Sequence, residues 1–329
     1  IDAITQDNAD EIAHLKNQFE IPAGKIYLDG NSLGPVSISA KQAALEVVQQ
    51  QWGNDLISSW NKHSWIDLPI NTGEKIAKLV GAEPGQLICC DSMSVNLFKI
   101  LHCALQLNPK RRLILSQEDN FPTDLYVAQG LQRILGVEHC QLLTTTDIDI
   151  ENQLTEEVAV LLLTHVNFRS GKTYDIEKIT RAAHAKGIIV IWDLAHSVGV
   201  LPLALDKWQV DFAVGCGYKY LNGGPGAPAF IYAADRHQNS FLQPLQGWMG
   251  HMAPFDFAKK YNLEIIEVVS ENKNTPKNFD QINEAYTSGG TLINSDFLNG
   301  LNVESAIQKI IKSIEERNIG EKKISFRLK

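Results

Sequence analysis

Short apolar runs alternate with helically spaced apolar positions through the middle of this chain. Gln86 to Asp91, Arg112 to Ser116, Val158 to Val166, Ile188 to Trp192, Val210 to Cys216 and Ala229 to Tyr232 each read as strands. Ser94 to Leu107, Pro122 to Leu135 and Ile176 to Lys186 read as helices between them, the second opened by a proline in its first turn. Ile188 to Trp192 contains no polar residue, as a strand covered on both faces requires. Strands alternating with helices predict an α/β fold, a mostly parallel sheet with helices on both faces. Residues 1–60 read as an N-terminal arm that contains the turn-rich Asp29-Gly30-Asn31-Ser32-Leu33-Gly34-Pro35, and 61–245 as the large domain. Beyond about Gln243 the alternation fades and Glu271 to Asn278 is polar with a proline, so 246–329 is expected to be a smaller, shortened α+β domain.

The chemistry is densest at Tyr218-Lys219-Tyr220-Leu221-Asn222-Gly223-Gly224-Pro225-Gly226, directly after a strand. A lysine that forms an imine must first lose its proton, and apolar or aromatic neighbours favour that loss. Glycines beside it leave backbone room for a bulky cofactor. A lone lysine in a turn is ordinarily just solvated. The preceding strand changes the odds, because Asp193 stands at its carboxyl end, where open α/β sheets place ligand-binding groups, with His196 three positions on. By themselves Asp193 and His196 fit a metal site, an acid–base pair or a salt bridge. Paired with Lys219 they suggest pyridoxal 5'-phosphate, which takes a lysine at its aldehyde and a carboxylate at its ring nitrogen. A metal is disfavoured because no second histidine or cysteine cluster stands nearby.

A phosphate needs its own cradle. Asp91-Ser92-Met93-Ser94-Val95-Asn96 spans a strand-to-helix junction, where free N–H groups and the helix dipole attract anions, although serine is also an ordinary helix cap. Phe121-Pro122-Thr123-Asp124 opens the next helix, and its phenylalanine can stack on a planar ring or simply fill core.

Composition narrows the partners. The 329 residues are 44% hydrophobic and carry 30 basic against 38 acidic side chains, a net charge of −8 with the basic residues scattered. That disfavours nucleic acid or an anionic membrane as partner. The five cysteines show no C-x-x-C spacing and mostly fall in apolar runs, as expected of free thiols in a reducing cytoplasm. No apolar run has the length to span a bilayer, and no signal peptide is expected. The chain opens at Ile1 without methionine, so its first residues are expected to be missing.

Taken in order, Tyr27 to Gly34, Ser59-Trp60-Asn61, Trp65 to Leu68, Ser94 to Lys99, Asn120 to Tyr126 and Thr164 to Asn167 resemble the kynureninase family. Trp192 to Ser197, Tyr218 to Gly226 and Gly247-Trp248-Met249-Gly250-His251 continue the resemblance, which covers roughly Ile21 to Phe257. It implies the fold-type-I, class-V-like pyridoxal-phosphate superfamily and hydrolysis of L-kynurenine, or 3-hydroxykynurenine, to an anthranilate and L-alanine. It also implies a homodimer with sites at the subunit interface and a place in tryptophan catabolism and NAD biosynthesis. Lys219 would hold the cofactor aldehyde and move the substrate's α-proton, with Tyr218 reaching the phosphate and sharing proton transfers. Asp193 would pair with the ring nitrogen, His196 would lie beside the cofactor, and Phe121 would stack on it with Asp124 in the same site. Met93 and Ser94 would face the phosphate, Thr164 and Trp248 would contact the cofactor, and Trp65 would line the substrate pocket.

Towards the C-terminus the match thins. Ala285 to Thr291 resembles a segment in which a residue near Thr291 reaches the partner's cofactor phosphate. The family's carboxylate-binding arginine is not found: its position holds Gly320, and Arg327 nearby does not inherit the role. Two alternatives therefore stand beside kynurenine hydrolysis. One is another enzyme of the superfamily, a cysteine-desulfurase-like lyase or an aminotransferase. The other is a non-catalytic homologue that only binds the cofactor.

Overall fold

A computed structural model describes residues 3–146, 150–240 and 243–247. Its centre is a seven-stranded sheet of order β1-β7-β6-β5-β4-β2-β3. The strands are β1 (Leu87–Cys90), β2 (Leu113–Gln117), β3 (Gln141–Thr145), β4 (Val158–Thr164), β5 (Ile189–Asp193), β6 (Phe212–Cys216) and β7 (Ala229–Ala233). The α-helices are α1 (Ala3–Ala9), α2 (Ile38–Glu46), α3 (Ser59–Lys62), α4 (Leu68–Val80), α5 (Met93–Leu107), α6 (Pro122–Leu135), α7 (Ile176–His184) and α8 (Asp235–Gln238).

The expected parallel core holds. β3, β2, β4, β5 and β6 run parallel, with Leu163 beside Trp192 and Asp193 beside Val214 in register. Every residue of β4 and β6 is buried, because helices cover both faces. Ile76 and Val80 of α4 and Ile179 of α7 pack on Leu161, Val190 and Trp192. Leu97 and Leu101 of α5 and Leu131 of α6 pack on the alternate set, Val160, Leu162 and Ile191. The Trp192 indole donates to Thr180 Oγ1 at 3.1 Å, which ties α7 to β5 inside the core.

Two features were not read from the pattern. β7 is antiparallel to both neighbours, β6 and β1. The Cys216-to-Ala229 connection carries the lysine loop in place of a crossover helix, so the chain returns antiparallel. β3 is an edge strand whose middle residues are exposed, leaving no apolar run to reveal it.

At the amino end of β6, Asp211 ties four segments together. It accepts from His184 Nε2 at 2.7 Å, the Val190 N–H at 2.8 Å, Arg236 Nη2 at 2.6 Å and His237 Nε2 at 2.7 Å. These partners hold its carboxyl well below the usual carboxylate range although burial opposes them.

Candidate active site

The opposite, carboxyl end of the sheet gathers most of the residues singled out above. β4 ends on Thr164 and β5 on Asp193, each 2% exposed, and the loop after β6 delivers Lys219 at 7%. α6 begins at Pro122, so Phe121 and Asp124 stand in its first turn, with Asp124 1% exposed. Strand ends in a parallel sheet lie side by side, and this is why residues distant in sequence converge here.

Lys219 Nζ lies 2.8 Å from His196 Nε2 and 5.5 Å from the centroid of the Phe121 ring. Burial, and then the positive lysine, push His196 down to about 4, so the imidazole is neutral at pH 7 and accepts from the lysine. Tyr218 contributes a second ring 5.9 Å from Nζ, its hydroxyl pushed up by burial. Asp193 does not pair with His196. Its Oδ1 accepts from the Ala195 N–H at 2.7 Å and its Oδ2 lies 3.4 Å from Thr164 Oγ1.

Asp124 faces Asp193. Burial and the neighbouring Asp193 charge raise Asp124 well above the usual carboxylate range, and burial also raises Asp193, against the Ala195 N–H and Lys219. Two carboxyls so placed cannot both ionise in a dry site, and Asp124 is the one that keeps the proton. Asp124 Oδ2 and His196 Nδ1 are two of six buried side-chain atoms that lack a hydrogen-bond partner among the described residues. Buried polar atoms without partners are costly, so these two, side by side with Lys219 and Asp193, fit a site that takes a polar guest.

The anion junction is partly an ordinary cap. Ser92 caps α5, accepting from the Val95 N–H at 3.4 Å, while Met93 and Ser94 form the first turn. Their N–H groups head a fifteen-residue helix, which suits a phosphate. Trp65 stands in the 3-10 turn before α4, where its indole donates to Gln51 of the arm at 2.7 Å and meets Trp60 edge-on. Trp248 and Thr291 lie outside the described residues.

The glycines after Lys219 divide. Gly224 and Gly226 face open space, whereas a Cβ on Gly223 would come within 2.8 Å of Gly217 O, so Gly223 lets the loop close on its own start. Gly34 of the arm does the same between segments. Its N–H donates to Tyr218 O at 2.9 Å, and a Cβ there would stand 2.2 Å from Lys219 O. The turn-rich arm is thus seated directly on the lysine loop.

Sequence reading missed Asn120, Ser116 and Phe168. Phe168 packs edge-on against Phe121 at 5.1 Å. Asn120 accepts from the Phe121 N–H and from Thr164, and donates to Ser116 Oγ at 3.0 Å. For Asn120 and Phe168 the signal is adjacency to Phe121 and Asn167, and for Ser116 there is none.

A buried lysine and buried carboxyls gathered at the strand ends of an α/β sheet, with the Phe121 and Tyr218 rings beside the lysine, form a lysine-centred site of the kind that can hold a carbonyl cofactor. The chain belongs to the class-V aminotransferase family, whose model (Aminotransferase class-V) matches residues 44–264. It is similar to a kynureninase of Burkholderia pseudomallei (strain 1106a), 46% identical over 258 residues, covering 77% of this chain and 62% of the relative. A kynureninase of Deinococcus radiodurans is 46% identical over 260 residues, covering 78% of this chain and 63% of the relative. The chain therefore spans a little under two thirds of the relatives' length. Among solved structures, a C-DES mutant with glycine covalently linked to its PLP cofactor superposes with TM-score 0.64 at 15% identity, covering 79% of this chain and 67% of that one. A cysteine desulfurase from Thermococcus onnurineus NA1 gives 0.58 at 18% identity, covering 84% and 69%. At such identities these two share the fold. A second family model, Leucyl-tRNA synthetase, editing domain, matches residues 251–315. Thr291 falls inside that second match and beyond the end of the first.

Proposed function

We propose that this chain binds pyridoxal phosphate at Lys219 and carries the cofactor half of a kynurenine-hydrolysing site. The observation that carries the reading is Lys219 itself, buried between the neutral His196 and the Phe121 ring, with the Asp124–Asp193 pair behind it. The cofactor supplies an electron sink for a carbanion next to the amino group. Phe121 covers one ring face, ionised Asp193 holds the proton at the ring nitrogen, and protonated Asp124 donates to the same neighbourhood. The N–H groups of Met93 and Ser94 and the Tyr218 hydroxyl would bind the phosphate, Thr164 and Trp248 would complete the cofactor contacts, and a residue near Thr291 would reach the phosphate of the cofactor in the partner subunit.

Lys219 takes the substrate's α-proton and Tyr218 shares in later proton transfers, so that water can add to the γ-carbonyl and the Cβ–Cγ bond can break. Trp65 lines the aryl pocket. Among the described residues no helix is long and apolar enough to cross a membrane. A cytoplasmic location is part of the proposal, supported by five free cysteines. So is a homodimer. Ile26, Leu28 and Trp52 of the arm are 87%, 85% and 62% exposed, and an apolar cavity of ≈ 720 Å³ opens between the arm and the Gly223–Pro225 turn. A second copy would cover this surface.

The test is direct. Purified protein mixed with pyridoxal phosphate should develop a visible absorption band that reduction with borohydride fixes on Lys219, and added L-kynurenine should release fluorescent anthranilate. The match of residues 251–315 to an editing-domain model, together with the unlocated carboxylate-binding arginine, favours a second reading: cofactor binding without turnover. A band that responds to L-kynurenine without anthranilate release would select it.

A further inference from the structure

Thr164 carries one hydroxyl proton, yet its Oγ1 lies against two acceptors. One is Asn120 Oδ1, in a short contact, and the other is Asp193 Oδ2 at 3.4 Å. One proton serves one of them. The surroundings decide which. The Phe121 N–H can only donate, and it meets Asn120 Oδ1 at 2.8 Å, so the amide oxygen faces that way. The Ser116 hydroxyl donates to Leu162 O on β4 at 2.8 Å and so accepts from Asn120 Nδ2 at 3.0 Å. Both ends of the carboxamide are therefore assigned, and it cannot flip without losing both bonds. Against an amide oxygen, Thr164 must donate. Its lone pairs are left facing Asp193.

We propose that Asn120 is a positioning residue: by taking the Thr164 proton it withholds a hydrogen-bond donor from Asp193 and strengthens that carboxylate's hold on a proton. Asp124 from α6 and Lys219 from the loop after β6 also face Asp193, and N120A leaves both in place; Oδ1 keeps its donor, the Ala195 N–H, while Oδ2 is offered none by Thr164. A carboxylate with fewer donors is more basic. Basicity is what its partner at the cofactor ring nitrogen must have. Asn120, Ser116 and Thr164 are buried and touch one another in sequence, so the chain Leu162–Ser116–Asn120–Thr164–Asp193 forms a relay of fixed polarity from strand backbone to site. The same amide oxygen fixes the backbone of Phe121, and so the ring that covers the site. This inference rests on the reading of the site as a pyridoxal-phosphate site.

The experiment compares wild type, N120A, T164V and N120A/T164V, each loaded with pyridoxal phosphate labelled with 15N in the ring and titrated through the pH dependence of the ring-nitrogen NMR shift. In N120A the freed Thr164 hydroxyl turns to Asp193, and the midpoint should move down by about 0.5–1 pH unit. With Thr164 replaced by valine there is no proton to redirect, so adding N120A to T164V should leave the midpoint where T164V puts it. kcat should fall in N120A more than KM rises, since the effect is on the ring proton rather than on substrate contacts. A wild-type midpoint in N120A, or an undiminished shift in the T164V background, overturns the proposal. If N120A does not fold, S116A removes only the anchor of the amide and should give a smaller shift in the same direction; no shift there overturns it too. Wild type that develops no visible band with the cofactor sinks the cofactor reading and this one with it, whereas a normal band with a ring-nitrogen midpoint that N120A leaves untouched sinks this one alone.

Discussion

Asp193 and Asp211 are both 2% exposed, on neighbouring strands, and their carboxyls shift in opposite directions. Asp211, at the amino end of β6, has two histidines, an arginine and a backbone N–H around it, and stays ionised far below the ordinary range. Asp193, at the carboxyl end of β5, faces another carboxyl and one firm backbone donor, and rises. The difference is supply. One end of the sheet satisfies its buried charge and serves as a clasp. The other leaves polar atoms without partners and so stores the capacity to bind something.

The strongest break of this contrast is K219A. It should abolish the cofactor band and lower anthranilate release by ~10³-fold or more, while the apoprotein's melting temperature holds or rises, since only the site end is touched. D211A attacks the other end. Removing the carboxylate strands His184, Arg236 and His237 and the Val190 N–H, and should cost about 2–4 kcal/mol by urea unfolding. The cofactor band of whatever remains folded should be normal; a lost band at full stability would show that the ends are not separable.

G34A comes next. Its Cβ would collide with Lys219 O, so the arm should lift from the lysine loop at a cost of about 1–3 kcal/mol. Faster proteolysis within residues 20–36 and weaker cofactor binding are the readouts, and unchanged binding would mean the arm's seat does not matter to the site.

The pH dependence of apoprotein stability separates the two ends again. Asp211 has a depressed folded pKa, so its contribution is present above the unfolded pKa, about 4, and is lost as pH falls below it. Asp124 has a raised folded pKa, so its contribution is full below about pH 4 and is lost as pH rises towards and through the folded value. D124N, neutral at every pH, should therefore gain about 1 kcal/mol over wild type at pH 8 and nothing at pH 4. Equal effects at both would contradict the protonated state of Asp124. The smallest effect concerns His196. Its folded pKa of about 4 predicts a ring that stays neutral down to that pH in the apoprotein, checked by NMR of labelled histidine, and a modest loss of stability between about pH 6.5 and 4 that H196Q removes.

The legible part of the site was legible for a structural reason. Thr164, Asp193 and Lys219 each follow an apolar strand, and in a parallel sheet such positions converge without further information. Asn120 and Ser116 gave no such sign, because the polarity of a hydrogen bond depends on which acceptor a neighbouring segment supplies. Asp211 was invisible for a related reason: a single acid in Val210-Asp211-Phe212 looks like any strand start until α7 and α8 bring their histidines and arginine to it. The pocket role of Trp65 comes from resemblance, and what the structure adds is the bond of its indole to Gln51 of the arm, a partner the sequence does not reveal.

By itself the sequence determined the alternation of strands and helices, since apolar periodicity needs only local sterics and burial, and it marked the lysine between two tyrosines as chemically unusual. Only the tertiary structure decided the antiparallel return of β7, the seating of Gly34 on the lysine loop, and which buried carboxylate is a clasp and which a site. Those outcomes depend on how many donors reach a buried oxygen, and donors come from segments distant along the chain.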